Sequence, residues 1–370
     1  MQQERAEKIP VLIASGLKPV QDIRAFGKLG LSMSETNKYS LNFIGFCSKR
    51  SPKSDEFRYF YSIADTKSLW QRAWMPIRFA QIIKKVRPKI VICCTWEFLP
   101  VARFLKRIYG FKLIYDVQEN YIANLNLNPE RGAISRFLAK SLIRLSESKN
   151  GIDHFLLAEK CYENEMPEKS PALVLPNLYA GKKIQTQSVF LNPNTSLQLL
   201  ITGTLSPSFG TENALLWFLK LSDIFPKITL RIVGHCPIKS FQKRLEKLAE
   251  NKPNISLLIS ENPIPHKEIL EEMKTADLLL LPYENRDEFR SKMPTKLFEC
   301  AALNIPILHS PNPLWEEFLC SFNGGKSVNF LDLDQVETQF KRALQEPFYS
   351  QNPPLEIYWD TVKNSFLEIL

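Results

Sequence analysis

Short apolar runs alternate with amphipathic stretches along most of the chain. "IPVLIAS" (9–15), "LNFIGF" (41–46), "KIVICCT" (89–95), "FKLIYDV" (111–117), "DHFLLA" (153–158) and "ALVLP" (172–176) read as strands. Helical patterns such as "SLWQRAWMPIRFAQIIKKV" (68–86) and "LPVARFLKRIYG" (99–110) lie between several of them. Strands with one wet face alternate apolar and polar residues, so continuous apolar runs separated by helices predict a parallel sheet covered on both faces. The stretch "LPNLYAGKKIQTQSVFLNPNTS" (175–196) is polar, ends in a Pro/Asn/Ser cluster and reads as a linker. Beyond it the scheme repeats with "LQLLITG", "ITLRIVG", "ISLLIS", "ADLLLLP" and "IPILHS", separated by "TENALLWFLKLSDIFP", "KSFQKRLEKLAENKP", "PHKEILEEMKT" and "PTKLFECAAL". Two doubly wound α/β domains are therefore expected.

Length agrees, since 370 residues exceed what one core of roughly 150 residues holds. A hydrophobic share of 44% with 24% charged residues is that of a globular chain rather than a disordered one. No run approaches the ~18 apolar residues of a membrane span, and "MQQERAEKIPVLIASGLKPV" is too polar for a secretory leader, so a cytosolic protein is expected. The 7 cysteines are odd in number, without CxxC or metal-ligand spacing; Cys93 and Cys94 read as small core residues. The net charge of +9 gathers near "FAQIIKKVRPK" and "VARFLKRIYGFK" at helical spacing. Two readings stand open there: a solvated helix face, or contact with an anionic membrane surface or other acidic partner. Nucleic acid is not expected, because no RRM, KH or zinc-finger pattern occurs.

Open parallel sheets bind ligands beyond the carboxyl ends of their strands. That directs attention to "SGLKPVQDIR", "TWEFLP", "DVQENY", "TGTLSPSFG", "VGHCP" and "PYENRDEFRSKMPTK". In the last, Pro294 suits an early helical position, where its missing N–H costs nothing. The free amides and positive dipole end of that helix favour an anion such as phosphate, and Lys296 adds a point charge in the first turn. Glu299, three residues on, shares its face and suits two ribose hydroxyls; the alternative is a plain i,i+3 surface pair worth ~0.2–0.5 kcal/mol.

As an ordered set these segments resemble family 4 glycosyltransferases, retaining enzymes of the GT-B fold. The segment "ADLLLLPYENRDEFRSKMPTKLFECAALNIPIL", preceded by "NPIPHKEILEEMK", looks like their donor-binding region. "VLIASGLKPVQDIRAFGKLG" resembles their first strand and acceptor-side loop, "KLIYDVQENY" their "YDxHE" segment, and "LVLPN" the strand into the linker. "LLITGTLSPSFGTENAL" and "LRIVGHCP" resemble the opening of the donor domain, and "IYWDTVKNSFLEIL" the closing helix that returns to the first domain. The resemblance implies two Rossmann-like domains facing across a cleft. The acceptor-side domain would span residues 1–183, completed by a helix at 355–370, and the nucleotide-sugar domain residues 184–354. By position, Glu299 would bind the donor ribose, and the backbone around Pro294, Thr295, Lys296 and Leu297 would meet diphosphate and sugar. Gly203, Thr204, Gly234 and His235 fall on phosphate-side loops, and Gly16 would let the first-domain loop approach the donor closely. Lys296 and Glu119 are the catalytic candidates, and Lys18, Asp22, Arg24, Glu97 and Gln118 the acceptor-side ones. No metal and no cofactor beyond the nucleotide-sugar substrate is implied, because helix dipoles and basic side chains stabilise a departing diphosphate.

The chain departs from the family's pattern at several positions. Ser291, also a donor-binding candidate because its hydroxyl can hydrogen-bond a sugar, stands eight residues before the ribose-binding position, where members commonly carry an acid. Thr204 and Phe209 stand roughly where many have Arg and Lys, leaving Lys296, with Arg286, Arg290 or Lys292, to meet the diphosphate. Gln118 replaces the His of "YDxHE" and cannot exchange a proton near neutral pH. Asp116 reads as another orienting group or as a turn or helix cap. "NGGKS" (323–327) lacks the first Gly of a phosphate loop, which is Cys320 here, and Asp334 is expected to cap the helix "QVETQFKRAL". His154, His235, His266 and His309 have no metal-ligand spacing; His266 is expected to begin a helix, and only His235 has a functional reading. Asn304 is expected to end the Lys296–Glu299 helix in a left-handed turn. The resulting expectation is a retaining glycosyltransferase moving a sugar from a nucleotide diphosphate to a glycan or lipid-linked acceptor in cell-surface glycoconjugate synthesis, on the cytosolic side and peripheral on the membrane. Its alternatives are a sugar-nucleotide epimerase of the same fold and a weakened homologue that serves as a scaffold for another transferase.

Overall fold

The computed structural model describes residues 8–47, 57–125 and 132–370. The chain divides into two compact units, residues 1–180 with 359–370, and residues 181–358. Strands are numbered β1 to β13, and helices of eight or more residues α1 to α9.

The first unit holds a sheet of β1 (Ile9–Pro19), β2 (Tyr39–Phe46), β3 (Phe57–Ile63), β4 (Ile90–Cys93), β5 (Lys112–Val117), β6 (His154–Leu157) and β7 (Ala172–Val174). Every recorded pairing is parallel, in the order β3-β2-β1-β4-β5-β6-β7. Apolar residues point to both faces, and both are covered. On one face Leu12, Ala14, Val91, Leu113 and Phe155 pack with residues of α1 (Leu69–Val86) and α2 (Leu99–Tyr109). Beside α2 lies α3 (Ala133–Ser146), tied to it by Arg103, whose guanidinium donates to the carbonyls of Ser148 and Leu145 at 3.0 and 3.1 Å. The other face packs Val11, Ile13, Ile92 and Ile114 against Leu29 and Met33, and against Trp359 and Phe366 from the end of the chain. The Trp359 indole donates to Ser32 Oγ at 2.8 Å, and Lys112 Nζ to the Ile369 carbonyl at 2.6 Å.

The second unit holds β8 (Leu197–Thr204), β9 (Ile228–His235), β10 (Ile255–Ser260), β11 (Leu278–Leu281), β12 (Ile307–His309) and β13 (Gly325–Ser327) in the parallel order β10-β9-β8-β11-β12-β13. Its helices are α4 (Thr211–Ile224), α5 (Lys239–Ala249), α6 (His266–Thr275), α7 (Thr295–Leu303), α8 (Pro313–Cys320) and α9 (Val336–Ala343). The linker stretch is held to this unit: Val189 and Phe348 exchange backbone bonds of 2.9 Å, and Asn304 bonds both the amide and the carbonyl of Gln187.

Two strands escape the apolar-run reading. β3, "FRYFYSI", mixes aromatic and polar residues, and β13, "GKS", has no apolar residue at all, although it pairs with β12 within the "NGGKS" stretch. The cap of α9 also differs from expectation. Its flanking residue is Gln335, whose amide is bonded by Asp332 at 3.2 Å, and Asp334 makes no cap bond.

Candidate active site

In each sheet the strand order reverses beside the first strand, between β1 and β4 in the first unit and between β8 and β11 in the second. The crevice at the carboxyl ends of such a pair is where open α/β sheets bind ligands. A cavity of about 450 Å³ lined by Ser40, Asn42, Arg58 and Lys85 lies at the amino ends of β2 and β3, away from that crevice.

In the second unit the reversal point gathers the predicted donor residues. Gly203 and Thr204 end β8 in register with Gly234 and His235 of β9. Gly203 has φ +112°, a conformation open to glycine, and a Cβ built there runs into the Lys296 ammonium. The lysine thus lies directly over the glycine backbone. Gly234 needs its missing side chain for a different reason, since a Cβ would strike the Gly203 carbonyl and Leu205. His235 sets Nδ1 3.3 Å from the Ser260 carbonyl, at the end of the adjoining strand β10.

Lys296 is carried by α7, whose following residues Leu297, Phe298, Cys300, Ala301 and Ala302 are buried, so the helix is embedded on most sides. Asn304 ends the helix with φ 60° and ψ 38°, the left-handed turn expected of it. Pro294 is the residue before the helix rather than its first turn, and no side chain caps the amides that follow. The Leu297 side chain is fully buried and its amide donates to the Pro294 carbonyl at 2.9 Å. Ser291 is exposed at the end of the short helix Asp287–Arg290.

Glu299 is 8% exposed, and its Oε1 lies 2.6 Å from Nε2 of His266. Sequence reasoning gave His266 only a helix start, which it provides, as the first residue of α6. Its partnership with Glu299 spans 33 residues of sequence, so no local pattern announces it. The neighbouring loops are braced by an aromatic cluster. Phe209 packs at 4.7 Å from Tyr283 and 5.1 Å from Phe289, which fixes the β8–α4 loop against the β11–α7 loop. Of the cations named for the diphosphate, Arg286 is engaged by Glu284 at 2.7 Å.

In the first unit the reversal point lies where the Gly16 amide donates to Thr95 Oγ1 at 3.0 Å. A Cβ on Gly16 meets the Met75 methyl at 2.9 Å and Thr95 Oγ1 at 3.3 Å, so a side chain there would push the end of Met75 aside. Three acceptor-side candidates, Arg24, Asp22 and Gln118, are tied together around Asp116 and the following turn. Arg24 is 2% exposed; its Nε donates to both Asp116 oxygens at 2.9 Å, its Nη2 to Oδ1 at 2.7 Å and its Nη1 to the Leu175 carbonyl at 2.9 Å. Burial lowers the Arg24 guanidinium, but Asp116, with smaller help from Cys94 and Asp22, raises it above its ordinary value. Asp22 Oδ2 accepts the Arg24 and Ala25 amides, each at 3.0 Å, and so caps the turn. Gln118 donates to Asp116 Oδ2 at 2.8 Å, completing the pair's hydrogen bonding.

The other candidates lie at the end of β1, on the loop after β5 and on the short helix after β4. Lys18 donates to Glu119 Oε1 at 2.6 Å while Asn124 donates to Oε2 at 2.9 Å. Glu119 raises the Lys18 ammonium above its ordinary value, against the lowering effect of burial. Glu97 Oε1 lies 3.9 Å from Arg72, and its Oε2 is buried with no hydrogen-bond partner among the described residues. Burial pushes the Glu97 carboxyl up, outweighing hydrogen bonds from the backbone and Thr95 and the attraction of Arg72. The Tyr121 hydroxyl, on the short helix Tyr121–Asn124, likewise has no partner among the described residues. Among those residues no group of three His, Cys, Asp or Glu side chains is gathered as for a metal ion.

Compared with known proteins, the sequence matches no model of a protein family and no curated protein. Solved structures do match over nearly the full length. A sucrose-phosphate synthase from Thermosynechococcus elongatus superposes with a TM-score of 0.70 at 13% identity, covering 98% of each chain. Anabaena HepE, solved in complex with UDP and glucose, gives 0.62 at 11% identity over 98% of this chain and 99% of its own. WaaG, a glycosyltransferase involved in lipopolysaccharide biosynthesis, gives 0.62 at 14% identity over 97% and 95%. At such identities the likeness is one of fold, and the chain has the two-domain GT-B architecture.

Proposed function

We propose that the protein is a glycosyltransferase that takes its sugar from a nucleotide diphosphate and transfers it with retention, in the manner of family 4, to a glycan or lipid-linked acceptor. The observation that carries this reading is the Lys296 ammonium lying over Gly203 at the strand-order reversal of the second unit, one turn from Glu299. A fixed cation beside uncapped amides at a helix start suits a diphosphate, and stabilises the charge that grows on it as the glycosidic bond breaks. A carboxylate one turn on suits the vicinal hydroxyls of ribose. HepE and WaaG, whose folds this chain shares, support the same reading through the UDP bound by one and the glycosyltransferase description of the other.

In this proposal Lys296, the Thr295 and Lys296 amides, and the Gly203–Thr204 and Gly234–His235 turns hold the diphosphate. Glu299, braced by His266, holds the ribose. The departing phosphate takes the acceptor's proton, so Gln118 in place of a histidine does not stop the reaction, and no metal takes part. Glu119 and Lys18 hold each other and orient the acceptor hydroxyl. The reaction takes place at the cytosolic side of a membrane.

Titration with a panel of nucleoside diphosphates and their sugars tests the assignment. Binding of at least one, lost tenfold or more in Lys296→Ala and weakened in Glu299→Ala, is expected. If nothing in the panel binds, or if both variants bind as the parent does, the site is wrong. With the preferred donor and an acceptor panel, coupled product marks a transferase. Release of an epimerised donor marks the epimerase, and binding without turnover marks the scaffold.

A further inference from the structure

The face of the first unit built by α1, α2 and α3 carries an arrangement unrelated to donor chemistry. These helices, of 18, 11 and 14 residues, hold four, three and three Arg or Lys and no Asp or Glu. The whole chain has 39 acidic residues, so their absence from three adjoining helices is a property of this face. The same helices present large apolar side chains outward: Trp70 and Trp74 on α1, Phe104 on α2, and Phe137, Leu138 and Leu142 on α3 are all classed as exposed, from 44% to 72%.

α3 shows that this is not ordinary amphipathic packing turned slightly outward. At about 100° per residue, its exposed apolar residues from Ile134 to Leu145 fall within one stripe. Ile143, one of its two buried residues, lies about half a turn away from Ile134. Lys140 and Arg144 run along the flank. The helix thus turns its larger apolar face away from the protein, and that face is flanked by one sign of charge.

We propose that this face docks on an anionic lipid bilayer, with the α3 stripe and the α1 tryptophans seated among the headgroups and the basic residues facing lipid phosphates. Apolar and aromatic side chains suit the headgroup–acyl boundary, and a cation-only flank suits a surface of negative lipids. No helix among the described residues is long and apolar enough to cross a membrane, so the face lies on the bilayer. The sequence pointed to basic positions on α1 and α2; the stripe on α3 adds the apolar component and sets the orientation of the first unit, its α1–α3 face toward the lipid.

Flotation of the full chain with vesicles, of phosphatidylcholine alone or with about 30% phosphatidylglycerol, tests this independently of nucleotide binding. The parent is expected to bind the anionic vesicles at least tenfold better, and to release as salt rises and shortens the screening length. Lys140→Gln with Arg144→Gln lowers partitioning about twenty- to thirtyfold, from about fivefold per basic residue at a lipid surface. Phe137→Ser with Leu142→Ser abolishes binding while the melting temperature holds, because both positions are exposed. The proposal is overturned if the parent ignores anionic vesicles at low salt, or if the apolar pair of substitutions leaves binding intact. It is also overturned if the parent is a dimer that this pair dissociates, which would make the face a contact between copies.

Discussion

Replacing Arg24 by Met separates a structural cation from one that meets a substrate. The change keeps much of the side-chain volume and removes the four donated bonds that reach Asp116 and the Leu175 carbonyl. Asp116, fully buried, is left with Gln118 as its recorded donor. Removing one partner of a buried ion pair costs about 3–5 kcal/mol, because the other charge stays in the interior. In a domain of this size each kcal/mol shifts the melting temperature by about 2–4 °C, so a fall of about 6–20 °C is expected by scanning calorimetry. Adding Asp116→Leu should recover most of that loss, since well-packed apolar residues replace buried ion pairs at little cost. If Arg24→Met melts within about 2 °C of the parent yet loses transfer activity, the guanidinium serves an acceptor and not the fold.

Gly203→Ala forces φ +112° on a residue with a side chain and drives its Cβ into Lys296; about 1–3 kcal/mol of stability should be lost, together with nucleotide affinity, and an unchanged melting temperature would count against the contact. His266→Ala should weaken nucleotide binding about three- to tenfold by calorimetry, the worth of one hydrogen bond that positions Glu299, with partial rescue by His266→Gln. Glu97→Gln tests the raised carboxyl. A folded-state value above the ordinary carboxylate range, about 4.3, means stability is full below that range and is lost as pH rises through the raised value. The variant should therefore melt above the parent at pH 7 to 8 and match it near pH 4; equal melting throughout would mean the group is not perturbed.

The strands legible in the sequence were those buried on both faces, such as "KIVICC" and "LLLL", because burial leaves an unbroken apolar run. β3 and β13 were not legible, their pairing being supplied by neighbours rather than by their own side chains. At the candidate site the helix of Lys296 and Glu299 could be read from local signals, from a proline at its entry to an asparagine at its exit. The pairings that decide roles could not. Arg24 meets Asp116 across 92 residues and Glu299 meets His266 across 33, distances that only the strand order closes. A loop arginine beside an expected ligand site and a buried arginine look alike until its carboxylate is located.

The return of residues 359–370 to the first sheet bears on how the chain is made. Trp359 and Phe366 belong to one of that sheet's two cores, yet about 180 residues of the second unit precede them in synthesis. At the ribosome's ~5–20 residues per second, the first unit waits roughly 10–35 s for its last core side chains. The second unit, continuous in sequence, can finish folding in that interval. During the wait the part of this core that Trp359 and Phe366 complete is uncovered, a window in which chaperones would find their substrate.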